Sequence, residues 1–450
     1  MPLRTPKPLR VAVLADSDTR WKWGALTAGR VLPAGPAGPA APVLDGFLLR
    51  GRATPTPRQL REVGVRADSL REVTAVEFLR VMARESYDVL VLALVGGGVQ
   101  AVLHGLGRAW EGRSERPVVV TGYVGVVYEK LADGLLLRHG ADLVLANSRQ
   151  DAERFRAVYE GVGADASAVT EVALPFLGGD PYQGEHSPYT VVFAAQPSVP
   201  DNRADRTYLL DRLVRHARLH PDREVLLKLR SRPGEHTTHV EELPYQKLVR
   251  DLDAPPNLRL VYGNMGEVLD RADLMVTVSS TAALESLHRR VPTVVLTDLG
   301  VRETLGNHHF IGSGCLASWD QLDAGHRPEP DPQWVARQGV AAGAFGGAAP
   351  AGGSYATAFD AACERIGALL DRPGGLPPLT PYYTPATAPG YLPGILARHH
   401  LGPDGSPLPG APAADEEPGA VRRIVRRAAR GAYRHGVQRV APVIRRMGEL

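Results

Sequence analysis

Residues 272–298 constrain this chain more than any other stretch. They run Ala-Asp-Leu-Met-Val-Thr-Val-Ser-Ser-Thr-Ala-Ala-Leu-Glu-Ser-Leu-His-Arg-Arg-Val-Pro-Thr-Val-Val-Leu-Thr-Asp. An apolar run (Leu274–Val278) leads into a hydroxyl-rich turn (Ser279, Ser280, Thr281), a short helical stretch and a second apolar run (Thr293–Thr297). Nearly continuous apolar runs joined by a helix predict parallel strands covered on both faces. Small hydroxylic residues at the turn leave backbone N–H groups for an anion at the helix start. Glu285 falls one helical turn inside, on the face of Thr281, where a carboxylate can accept from ribose hydroxyls. The ligand this implies is a nucleotide with phosphate and sugar. The plain alternative is that Ser-Ser-Thr caps a helix and Glu285 is only exposed.

The same alternation recurs along the chain. Strands are expected at 10–15, 43–49, 88–94, 117–121, 142–146 and 169–173, with helices at 74–85, 99–110 and 148–159. After a turn-rich break at 178–188, strands follow at 189–195, 224–230, 258–262, 273–278 and 293–297, with helices at 206–219, 241–252, 265–271 and 281–289. The expected fold class is α/β, with two doubly wound Rossmann-like domains facing a cleft. The expected domains are 1–177 and 189–325, joined by a linker at 178–188. A closing segment, 326–372, carries an Ala/Gly-rich stretch (341–354) and a helix over 355–371. Residues 373–418, rich in Pro, Gly and Ala, are expected to have little order, and 419–450 to form a basic amphipathic helix.

The strand, hydroxyl turn and acidic helix at 274–285 resemble the donor-binding end of glycosyltransferases with two Rossmann-like domains, the GT-B type. The nearest likeness is to the branch that makes bacterial surface polysaccharides, including sialic-acid, Kdo and polyol-phosphate transferases. From the Asp16-Ser17-Asp18 loop to about residue 320 the chain also looks like an actinobacterial family described as glycosyltransferases. The resemblance implies a nucleotide-sugar donor on the second domain and a glycan or lipid-linked acceptor on the first. It also implies a late helix that braces the first domain, and an inverting outcome.

On the donor side, Ser279, Ser280, Thr281 and Glu285 are joined by Gln196 after the strand 189–195, and by Gly263 and Asn264 after 258–262. The turn Gly263-Asn264 is equally ordinary turn chemistry. Lys228, Arg230 and Thr237 lie in a basic segment that follows the strand 224–230, where cations can neutralise a phosphate. The resembled families often have Lys-x-His-Pro there, with the histidine on the donor phosphate. This chain departs from it with Arg232-Pro233 and a later His236, the candidate replacement.

On the acceptor side, Asp16 and Asp18 are candidates for the general base, and Trp21 and Trp23 for sugar platforms; capping and packed aromatics are the rival reading. Asp16-Ser17-Asp18 follows the first strand directly, and two carboxylates make a poor dedicated metal site, so no metal is expected. Gly97 in the triple glycine, Tyr123, Glu129 and His308 complete the candidates. The triple glycine lacks dinucleotide-motif spacing, and no cofactor is expected.

Net charge is +3, but residues 421–450 hold nine arginines against Glu449, so the body is mildly acidic. That argues against a nucleic-acid partner. Apolar residues recur at helical spacing over 421–447, which suits an anionic membrane surface. Two cysteines, Cys315 and Cys363, fit a reducing cytoplasm, and the expected location is the inner face of the cytoplasmic membrane. The expected activity is metal-independent transfer from a nucleotide sugar. A nucleotide-sugar epimerase and a non-catalytic nucleotide-sugar-binding protein are the alternatives.

Overall fold

The structure is a computed structural model that describes residues 8–32, 42–126, 130–232, 235, 241, 243–339 and 355–411. His236, Thr237, Glu129, the Ala/Gly-rich 341–354 and the basic helix over 419–450 lie outside the described residues. The described residues divide into two compact units. Unit 1 comprises 8–176 and 355–411, and unit 2 comprises 177–339.

Unit 1 is built on a seven-stranded sheet: β1 (Arg10–Ala15), β2 (Val43–Leu49), β3 (Ser69–Val73), β4 (Val89–Ala93), β5 (Val118–Gly122), β6 (Leu143–Ala146) and β7 (Val169–Glu171). Its order is β3-β2-β1-β4-β5-β6-β7, with every pairing parallel. The inner strands β1, β4, β5 and β6 are buried almost throughout, as their Val/Leu/Ala runs require of a sheet covered on both faces. β3 (Ser-Leu-Arg-Glu-Val) is an edge strand with four exposed residues. Its polarity hid it from a hydrophobicity reading. Capping boxes at Thr56 and Thr74 start the helices Pro57–Val63 and Ala75–Met82, and Ser148 caps Arg149–Gly161.

The helix Asp360–Leu370 buries Ala362 and Ile366 in the same apolar cluster as β1 and β5. Beyond it, residues 373–411 correct the expectation of little order. They cross the opposite face of unit 1, where Leu392, Ile395, Leu396 and Leu401 are buried beside Val99, Val102 and Leu103. The carbonyl of Tyr383 accepts from Gln100 Nε2 at 3.2 Å and lies 2.9 Å from His104 Nε2. Composition misled here because a few spaced apolar side chains are enough to anchor a proline-rich strap.

Unit 2 has a six-stranded sheet: β8 (Thr190–Ala194), β9 (Glu224–Lys228), β10 (Leu258–Val261), β11 (Leu274–Thr277), β12 (Thr293–Leu296) and β13 (Leu316–Ala317). Its order is β10-β9-β8-β11-β12-β13, again all parallel. Residues 178–188 lie against this unit. Buried Asp273 accepts from the backbone N–H groups of His186 (2.7 Å) and Thr190 (2.6 Å) and from the Tyr182 hydroxyl (3.1 Å). Each unit is therefore a doubly wound Rossmann-like domain, with its strand order reversing beside its first strand.

Candidate functional site

All strands of a parallel sheet end on one edge, and ligands of such sheets sit there, at the point where strand order reverses. In unit 2 that point lies between β8 and β11. Gln196 leaves β8 and Ser279 leaves β11, and the structure brings them together. Gln196 Oε1 accepts from the Ser279 backbone N–H at 3.1 Å and lies 3.2 Å from Ser279 Oγ. The Ser279 hydroxyl also donates to the Leu305 carbonyl at 2.5 Å, which draws in the loop after β12. Ser279 is buried, and its polar atoms form a latch within the protein.

Ser280 and Thr281 are half-buried on the same edge. Ser280 Oγ accepts from the Ala282 N–H at 3.2 Å, while Thr281 makes no side-chain cap to the helix Ala282–His288. Glu285 is buried on that helix at 7% exposure, which overturns the plain reading of it as an exposed residue. Lys228 is buried at the end of β9 and its Nζ donates to the Leu229 carbonyl at 3.0 Å. Arg230 follows it and is half-buried. Gly263 has φ +98°, a backbone that favours glycine, and nothing lies within 4 Å of where a Cβ would stand. Asn264 caps the helix Met265–Leu269 by accepting from the Gly266 N–H at 2.9 Å. Its side chain serves the turn. His308 is half-buried on the loop after β12, in unit 2.

In unit 1 the order reverses between β1 and β4, and the same device recurs. Asp16 leaves β1 and its Oδ2 accepts from the Val95 N–H at 3.0 Å, just after β4. Its Oδ1 pairs with Arg20 at 2.9 Å. Asp18 is half-buried in the first turn of the helix Asp18–Arg30, which Ser17 caps. The tryptophans are corrected outright. Trp21 is 0% exposed and Trp23 is 1% exposed, so neither ring offers a face to a sugar. A Cβ at Gly46 would stand 2.6 Å from the Trp21 ring, and one at Gly122 would stand 2.8 Å from the Trp23 ring.

A Cβ at Gly97 would make only an ordinary contact, 3.8 Å from Ile395 of the strap, so the strap passes beside the triple glycine without requiring it. Tyr123 lies half-buried under the guanidinium of Arg138, whose Cζ is 3.9 Å from the ring centroid, and burial pushes its hydroxyl pKa up. Arg138, unnoticed in the sequence, donates to the carbonyls of Leu94, Gly122 and Gly134. Burial lowers its pKa.

One cluster has the makings of a metal site: ligand atoms of His216, His220 and Asp323 lie within 4.8 Å of one another. Asp323 is already paired with Arg212 at 3.2 Å, and His216 Nδ1 lies 2.8 Å from it. Arg223 Nη1 stands 3.5 Å from His216 Nε2. A dication would meet these guanidiniums, and the group acts as a tie between the helices Arg203–Leu219 and Trp319–Asp323.

A family model described as "Putative glycosyltransferase (DUF6716)" matches residues 11–347. No curated protein matches the chain. Among solved structures, a "putative UDP-N-acetylglucosamine 2-epimerase" from Listeria monocytogenes is 13% identical, with TM-score 0.50, covering 82% of this chain and 100% of its own. A second UDP-N-acetylglucosamine 2-epimerase is 12% identical, with TM-score 0.50 and coverages of 83% and 100%. At these identities the likeness shows the GT-B type of twin-Rossmann fold and nothing about chemistry.

Proposed function

The chain belongs to the family described as "Putative glycosyltransferase (DUF6716)", and from that premise we propose that it transfers a sugar from a nucleotide-sugar donor to a glycan or lipid-linked acceptor. The observation that carries this is the convergence of Gln196, Ser280 and Thr281 at the strand-order reversal of unit 2, with Lys228 and Arg230 leaving the neighbouring β9. Neutral donors and cations on one sheet edge are what a sugar diphosphate needs, and they stabilise the departing phosphate as the bond to the sugar breaks. Unit 1 supplies the acceptor side and the base. Asp16, which pairs with Arg20 and accepts from the Val95 N–H, and Asp18, in the first turn of the helix that follows, are the two candidates for that base. The reading is metal-independent and inverting, without a cofactor, in the manner of sialyl-, Kdo- and polyol-phosphate transferases.

The donor reading is tested by Gln196→Glu. Glutamate keeps an oxygen for the Ser279 N–H, so the latch survives, but it sets a negative charge beside the proposed phosphate. Nucleotide binding should weaken by about 1–3 kcal/mol, roughly five- to 150-fold in Kd. UDP is the first nucleotide to try, since the two neighbours at TM-score 0.50 are named for a UDP sugar, and CMP is the second. Unchanged affinity in a folded Gln196→Glu protein removes the phosphate from this edge. Epimer formation from UDP-N-acetylglucosamine without an acceptor would replace transfer by epimerisation.

The membrane reading rests on the nine arginines of 421–450. No helix among the described residues is long and apolar enough to cross a membrane, so attachment is proposed as peripheral, on the inner face of the cytoplasmic membrane. Each basic residue near an anionic surface adds about 1 kcal/mol, and salt should release the protein. The full chain should sediment with anionic liposomes at low salt, and a chain ending at residue 411 should stay in solution. Equal sedimentation of the two would assign the tail to another partner.

A further inference from the structure

We propose that Arg206, paired with Glu241, is a positioning residue that holds the loop leaving β8 in a single arrangement and thereby sets affinity for the nucleotide; this rests on the donor reading above. Arg206 lies in the first turns of the helix Arg203–Leu219, which Asn202 caps by accepting from the Asp205 N–H at 2.9 Å. It is 1% exposed. Its Nη1 donates to the carbonyls of Gln196 (3.3 Å), Pro197 (3.2 Å) and Pro200 (3.1 Å), all on the loop leaving β8. Its Nη2 donates to Glu241 Oε1 at 2.7 Å, on the segment leaving β9. The guanidinium lies over the buried ring of Tyr245, with Cζ 4.1 Å from the centroid.

A guanidinium can do this because it is flat, permanently charged and forked. One edge serves carbonyls, another serves a carboxylate, and the face packs on an aromatic ring. Carbonyls of the loop leaving β8 and the Glu241 carboxylate share that one rigid group. That loop cannot shift without breaking charge-assisted bonds in a buried place. It carries Gln196, which accepts from Ser279 across the strand-order reversal. The arginine thus lies behind Gln196 without itself being assigned to the donor. In the sequence it is one arginine among several in an amphipathic helix, and nothing marks it as buried.

The test uses the full-length chain with Arg206→Lys, which keeps the charge and loses the fork, and Glu241→Gln, which keeps an acceptor oxygen and loses the charge. UDP and CMP affinity are measured by calorimetry, donor KM and kcat by turnover, and folding by thermal melting. For Arg206→Lys, nucleotide Kd and donor KM should rise about tenfold or more, with kcat changed much less, as for loss of interactions that serve ground and transition states alike. Glu241→Gln should move both in the same direction by less, and the double variant should be no worse than Arg206→Lys alone, because the two residues act as one unit. A lower melting temperature with wild-type Kd and KM in both folded variants overturns the proposal and makes Arg206 a structural residue, while the donor reading stands. If the wild-type chain binds neither UDP nor CMP and turns over no sugar ester of either, the donor reading falls and this proposal falls with it.

Discussion

A chain ending at residue 372 is expected to lose the folded state of unit 1, while a chain ending at 411 keeps it. The shorter form strips Leu392, Ile395, Leu396 and Leu401 from a cluster in which each is at most 4% exposed. Full burial of such side chains contributes about 1.5–3 kcal/mol each, so roughly 6–12 kcal/mol is at stake as an upper estimate. A domain has only about 5–15 kcal/mol in all. Polar losses add to this. Gln100 and His104 lose the Tyr383 carbonyl, Arg116 loses that of Pro377, and Asp133 loses the hydroxyls of Tyr383 and Tyr391. Thermal melts of the two forms should differ by a missing cooperative transition, with the transition of unit 2 retained. Equal melting curves would mean that the strap adds nothing to the fold.

Asp18→Asn should lower turnover by about a hundredfold or more and leave nucleotide affinity unchanged, as expected when a general base is replaced by an amide that cannot take the acceptor proton. Asp16→Asn should behave differently. Asparagine can still accept from the Val95 N–H but cannot pair with Arg20, so a lower melting temperature should accompany any loss of rate. Turnover is measured with a chelator present, so that a metal contaminant cannot mask the change. Normal turnover in folded Asp18→Asn would move the base elsewhere, with Asp16, Glu129 and His308 next in line.

Much of the fold was legible in the chain because its causes are local. The largely apolar runs at Val43–Leu49 and Leu274–Thr277, and caps such as Ser148, act over a few residues, and hydrophobic periodicity reports them directly. The edge strands were less legible. β3 is largely polar, with four of its five residues exposed, and β13 is two residues long. The carboxyl-edge loops were legible as places, since a loop after a parallel strand must lie on that edge whatever its sequence.

The duties of the side chains on those loops were not legible, because each depends on a partner far along the chain. Asp16 reads as a free carboxylate until Val95, 79 residues away, donates to it. Ser279 reads as a phosphate donor until Gln196, 83 residues away, and Leu305 use its polar atoms. Trp21 and Trp23 sit three and five residues after an acidic loop and read as platforms, yet the sheet beneath their helix buries both rings. Residues 373–411 read as a loose linker, and His104, 279 residues before Tyr383, helps hold them. By itself the sequence determined that this chain forms two doubly wound parallel sheets and which turns lie at their carboxyl edges, because burial pattern and capping are properties of short segments. Only the tertiary structure decided which polar groups on those edges remain for a ligand, because a hydrogen-bonding group is used up by whichever partner the fold brings to it.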